Sequence, residues 1–133
     1  QRQMCKETGL IPVSDAEIDR ALVGDAFSTG EAASGVELAR NSRMSAHVIQ
    51  ILGQEPGHVH ARHELLLTVR RGSGFLQLGR QVAPLAPGTA HVVPRGQPHA
   101  LVNAGGLPLI LVAYFFPPFD GDDRVMLAPA SPQ

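Results

Sequence analysis

Cysteine is nearly absent. Cys5 stands alone among 133 residues, so the chain cannot close an internal disulfide or assemble a thiolate zinc cluster. Lysine is as scarce, with Lys6 the single example, and we read this as compositional bias rather than chemistry. No stretch reaches the ~20 uninterrupted apolar residues of a membrane-spanning helix, so a membrane is not an expected partner. A dominant charge is missing too. With 11 basic and 12 acidic residues and a net charge of −1, the chain lacks the broad cationic surface that nonspecific phosphate binding depends on. No helix-turn-helix pattern is present, and nucleic acid is not expected as a partner. Internal repeats and long low-complexity tracts are also absent. No charged and apolar signal pattern follows Gln1; the cytoplasm is the default expectation, with the periplasm following if a signal segment was removed ahead of Gln1.

What is present suits one domain with a modest core: 133 residues with 44% hydrophobic content. One helix is legible, with Ser14 as N-cap, Glu17 completing a capping box, and Ile18, Ala21 and Leu22 on one face before Gly24. From residue 36 the chain reads as short strands at 36–40, 46–52, 58–61, 64–70, 74–78, 81–85, 89–93, 98–103 and 107–116. Turn chemistry separates them, as in Arg71-Gly72-Ser73-Gly74, Pro94-Arg95-Gly96 and Asn103-Ala104-Gly105-Gly106. Strands at this spacing predict an all-β barrel or jelly roll, because closure removes exposed edges. The expected division is an N-terminal extension with a short helix at 1–35, a barrel at 36–119 and an extended tail at 120–133, mobile from Ala128 to Gln133.

The candidate chemistry lies in two windows: His58, His60, His63 and Glu64, then His99 near Pro94 and Gly96. On a strand His58 and His60 project from one side, with Cα atoms about 6.6 Å apart, close enough to share a cation. In an extended chain Glu64 has the same parity and His63 the opposite one, although a turn at Ala61-Arg62 weakens that argument. His99, from a distant strand, completes three imidazoles and a carboxylate. This set suits a divalent first-row transition metal, with Fe, Mn, Ni and Zn all open. Imidazoles bind only when neutral, so metal loading is expected to fall as pH drops through roughly 6.

The second window has Gly88, five residues, Pro94, one residue, Gly96, two residues, His99, three residues and Asn103. It resembles the second conserved motif of the cupin family without a departure. The first window resembles the first cupin motif, with His58, His60 and Glu64 followed by the turn Gly72-Ser73-Gly74. Gly72 falls one residue later than the family's turn glycine, where Arg71 stands; a β-bulge in the strand from Glu64 would absorb the extra residue. The two motifs span about a third of the chain. The resemblance implies a double-stranded β-helix barrel holding a metal through His58, His60, Glu64 and His99. Phe116-Pro117-Pro118-Phe119 also looks like the tail of many single-domain cupins. A homodimer is expected from the resemblance and from the need to cover sheet edges.

Other residues carry weaker expectations. Leu66, Leu101 and Phe115 are candidates for the apolar wall around the ion and its small-molecule substrate. His47 and His91 are candidates for pocket positions, although the plain reading for them and for His63 is a surface or satisfied core histidine. Tyr114, the only tyrosine, reads first as packing or rim and second as an acid or substrate donor. Glu64, swinging off the metal, is the candidate base. The leading expectation is a metal-dependent enzyme on a small oxygen-rich metabolite with dioxygenase-type chemistry. The alternatives are a metal-dependent isomerase or lyase that consumes no oxygen, and a non-catalytic binding or sensor protein.

Overall fold

The computed structural model describes residues 12–121 and 123–127. Cys5 and the expectation of mobility at 128–133 lie outside the described residues. Helix α1 spans Asp15–Leu22, and the Ser14 hydroxyl accepts from the Glu17 N–H at 3.4 Å. Asp15 and Glu17 in the first turn and Arg20 in the last complement the helix dipole. A 3-10 turn at Asp25–Phe27 follows.

Ten strands then run through the described residues: β1 (Ala33–Arg40), β2 (Ser45–Ile51), β3 (His58–His60), β4 (Glu64–Arg71), β5 (Gly74–Leu78), β6 (Gln81–Leu85), β7 (Ala90–Val93), β8 (His99–Asn103), β9 (Leu109–Phe116) and β10 (Arg124–Met126). They form two five-stranded sheets, ordered β1-β2-β9-β4-β7 and β10-β3-β8-β5-β6, with antiparallel pairings throughout. This is the expected jelly roll.

The inner faces of the sheets meet in the main core. Leu65, Leu67 and Val69 of β4 and Leu109, Leu111, Ala113 and Phe115 of β9 alternate inward against Leu76, Leu85 and Leu101. The opposite face of the first sheet is covered too. Ala46, Val48, Ile110 and Val112 pack there against Ile18 of α1 and Phe27 of the 3-10 turn, which is why β2 and β9 carry apolar residues on both faces.

Two features of the β4–β5 region bear on the site. Against β9, the register of β4 slips between Val69 and Arg71, the bulge needed by the late turn glycine. Gly72 takes φ +82°, and a Cβ on Gly74 would sit 2.1 Å from the Val102 carbonyl oxygen, so only glycine lets β5 lie this close to β8. The described part of the tail adds a pairing that the sequence reading did not include. Residues Arg124–Met126 pair with His60–His58 as strand β10, because the second sheet leaves the edge of β3 open to a further strand.

Ile18 is fully buried beneath the first sheet, so Ile18→Ala is expected to lower stability by about 2–4 kcal/mol through lost burial and a residual cavity. Urea denaturation of both proteins measures this. A change below about 0.5 kcal/mol would mean that the helix does not pack on the sheet.

Candidate metal centre

Three histidines converge between the sheets. His58 lies directly opposite His99 across the β3–β8 pairing, so their side chains share the inner face. His60, two residues along β3, shares it as well. Their ring centroids lie 4.9 Å (His58–His60), 4.3 Å (His58–His99) and 5.6 Å (His60–His99) apart. All three residues are buried.

Each ring is oriented by an oxygen behind it. His58 Nδ1 lies 3.0 Å from the Pro56 carbonyl, His99 Nδ1 2.9 Å from the Gln97 carbonyl and His60 Nδ1 3.1 Å from Asp123 Oδ1. Carbonyl and carboxylate oxygens only accept, so each Nδ1 carries the proton and each Nε2 keeps its lone pair. Burial drives the His58 imidazole down to about 3, against the Pro56 carbonyl, which favours the charged form. Burial likewise lowers His60 and His99. All three are therefore neutral near pH 7, as ligands must be. One ring nitrogen from each lies within 4.8 Å of the others, so bonds of about 2.1 Å to a shared ion need only a small closing of the rings. The donor set fits a divalent transition metal.

Glu64 does not join them. It is exposed at the start of β4, whereas His63 is buried, the reverse of the expected parity. The cause is the bend at Ala61-Arg62, which adds one residue between the inward faces of β3 and β4. His63 instead spans Asp123 Oδ2, 2.5 Å from its Nδ1, and the Pro118 carbonyl, 3.1 Å from its Nε2. Asp123 Oδ2 also accepts from the Arg62 N–H at 2.8 Å. Burial alone would raise the Asp123 carboxyl, but hydrogen bonds from His63, the Arg62 N–H and His60 outweigh it and hold it at about 2.

Leu66 is corrected as a wall of the site, whereas Tyr114 takes the packing position read for it first. They pair across β9 and β4 on the outer face of the first sheet, where Tyr114 packs with the helix-side core and lines a separate depression with Val13 and Ala39. His91 pairs with Leu67 at the edge strand β7 and is not among the residues lining the cleft or the histidine cavity; its Nδ1 is buried with no hydrogen-bond partner among the described residues. Leu101 and Phe115 line a small cavity together with the three histidines. His47 also lines the cleft that opens onto them, edge-on to Phe115 at 4.9 Å, with its Nε2 2.8 Å from the Ser45 hydroxyl.

The cleft holds about 270 Å³ and includes residues that the sequence reading missed: Ser34, Glu55, Phe119 and Arg124. Glu55 is fastened to β8, its N–H donating to the Leu101 carbonyl at 2.8 Å and its Oε1 accepting from the Leu101 N–H at 3.2 Å. That oxygen lies 3.9 Å from His58 Nδ1, and Oε2 lies 3.6 Å from Arg124 Nη2. Burial pushes the Glu55 carboxyl up to about 7, against Arg124 and the Leu101 N–H, which pull it down. The available signals were faint. Glu55 immediately precedes Pro56-Gly57, the turn into β3, and Asp123-Arg124 stand in a short charged run after Pro117-Pro118.

Comparison with known proteins agrees with this geometry. The family model of the cupin domain matches residues 48–115, half of the chain. An uncharacterised protein of Aquifex aeolicus (strain VF5) is 33% identical over 90 residues, covering 68% of this chain and 74% of the relative. KdgF from Halomonas sp. superposes with a TM-score of 0.64 at 22% identity, over 70% of this chain and 87% of that one. The polyketide cyclase RemF from Streptomyces resistomycificus superposes with a TM-score of 0.64 at 19% identity, over 75% and 74%.

Two outcomes follow from the hydrogen bonds and charges around the centre. Asp123→Asn keeps the shape but weakens the acceptor behind His60, and is expected to lower metal affinity about 10- to 100-fold. Competition with a chromophoric chelator measures it, and unchanged affinity would show that the carboxylate does not support His60. The second concerns the metal-free protein. His47, His58, His60 and His99 resist protonation in the native state, whereas the unfolded chain takes up protons near the ordinary value of 6.5. Stability from these groups is complete above 6.5 and falls as pH drops below it. Glu55 opposes with one group, since its native carboxyl holds a proton up to about 7 against an ordinary 4.5. The unfolding midpoint is therefore expected to be lower at pH 5 than at pH 7. An equal or higher midpoint at pH 5 would contradict the neutral, buried state of the imidazoles.

Proposed function

The chain belongs to the cupin family, and on that premise we propose that it is a metal-dependent enzyme acting on a small, oxygen-rich metabolite. The observation that carries this reading is the convergence of three neutral imidazoles, two of them lining an open cleft, each with its Nδ1 occupied and its Nε2 available. A divalent transition ion held by His58, His60 and His99 would supply Lewis acidity toward a substrate oxygen.

The protein's own groups shape the rest. Leu101, Phe115 and Phe119 provide apolar walls that limit water. Glu55 is fixed by its Leu101 hydrogen bonds with its carboxyl beside His58, in reach of a substrate seated in the cleft. From there it can take a proton from a carbon next to a carbonyl and return it to a neighbouring atom, or to a departing hydroxyl. Glu55 thus takes the role of base expected of Glu64, which faces away.

This arrangement favours isomerase or lyase chemistry. What supports it is the carboxyl of Glu55, fixed to β8 within the cleft lining, where a base for proton transfer is needed; the loss of Glu64 from the ligand set bears on both readings equally. Oxygen consumption separates the two readings.

Protein purified without added ions is expected to carry close to one equivalent of transition metal. His99→Ala should lose most of it while keeping a cooperative unfolding transition, with elemental analysis and thermal denaturation as the measurements. Full metal content in that variant would contradict the proposal. With a substrate in hand, Glu55→Gln should reduce turnover at least about 100-fold at unchanged metal content, and an oxygen electrode should register no uptake. Stoichiometric uptake would establish the oxygen-dependent reading instead.

A further inference from the structure

Arg124 is the one lysine or arginine among the described residues lining the cleft. It lies directly opposite His60 in the β10–β3 pairing, so its side chain leaves the sheet edge on the same face as the imidazoles. Placing a guanidinium beside a site for a divalent cation is unfavourable unless an anion comes between them. Among the described residues, Glu55 is the carboxylate paired with Arg124. Glu55 approaches Arg124 only to 3.6 Å with one oxygen, while the other is engaged by the Leu101 N–H, so the two-bond fork that a guanidinium prefers is not formed. On β1, the Ser34 hydroxyl lines the same cleft, buried and without a hydrogen-bond partner among the described residues. A buried hydroxyl left this way costs free energy until something polar reaches it. Ile49, Phe115 and Phe119 make the remaining wall largely apolar.

We propose that the substrate is a short carboxylic acid with a hydroxyl or oxo oxygen on the neighbouring carbon, its carboxylate held by Arg124 and its second oxygen turned toward the three imidazoles. This deepens the functional reading above and rests on it. One guanidinium matches one carboxylate charge and its two oxygens. A phosphate, with up to two charges and three oxygens, would call for further cationic donors that the described lining residues do not provide. The cleft volume of about 270 Å³ lies below the ordinary range for drug-sized ligands, about 300–1,000 Å³, which fits a compact acid.

The experiment uses the full chain loaded with zinc, its metal content measured before each titration. Lactate, its neutral amide lactamide and inorganic phosphate are titrated calorimetrically into the wild type and Arg124→Gln. Lactate is expected to bind the wild type at least about tenfold more tightly than lactamide. In Arg124→Gln that ratio should fall close to one at unchanged metal content, with Arg124→Lys in between. A preference for lactate that survives Arg124→Gln would overturn the assignment, as would equal binding of acid and amide, tighter binding of phosphate, or no binding of any probe. Failure of the wild type to take up zinc would be failure of the metal-dependent reading. The lactate-to-lactamide ratio is then read on the metal-free chain, where a ratio of one overturns the role of Arg124.

Discussion

The site depends on three hydrogen bonds that point away from it. The Pro56 carbonyl, the Gln97 carbonyl and the Asp123 carboxylate each take the Nδ1 proton of one histidine. Each ring is thereby committed to the tautomer whose Nε2 lone pair faces inward. Without those acceptors the imidazoles would be free to turn, and a buried cluster of bases would be a liability to the fold rather than a binding site. Two of the acceptors are main-chain groups two residues before their histidines, so the turns entering β3 and β8 both position the ligand and set its proton. This ties the glycine- and proline-rich punctuation of the sequence to the chemistry it frames.

The third acceptor comes from beyond the β9 strand. Asp123 brings the tail back to β3, where it receives His60, His63 and the Arg62 N–H. Arg124 follows on the inner face, and Phe119 closes against Phe115 at 4.7 Å. The bend at Ala61-Arg62 makes room for this. It ends β3, places the Ala61 and Arg62 N–H groups toward Asp123 and flips the parity of β4, so that His63 supports the tail and Glu64 meets solvent. One local change of direction thus removes a carboxylate from the candidate ligand set and supplies another to the histidine behind it.

Much of the fold was legible in the sequence because turn residues and strand alternation are local signals. The Ser14 cap, the β-strands between 36 and 116 and the bulge before Gly72 follow from neighbours in the chain. His58, His60 and His99 were legible for the same reason: two share a strand face, and the third stands at the start of a strand. The misplaced residues needed information that is not local. Glu64 depended on whether the chain stayed extended through Ala61-Arg62. Leu66, and the secondary role considered for Tyr114, depended on which face of a doubly covered sheet is the inner one, and both faces of β9 are apolar. Asp123 and Arg124 depended on a tail strand pairing with a partner more than 60 positions away, which composition does not signal.

The most direct measurement is the coordination of a bound ion, by crystallography with anomalous scattering at the metal edge. The account predicts three protein ligands, the Nε2 atoms of His58, His60 and His99 at about 2.0–2.1 Å, with Glu64 still in solvent. An ion bonded to Glu64, bonded through any Nδ1 of these histidines, or found elsewhere in the chain would contradict it.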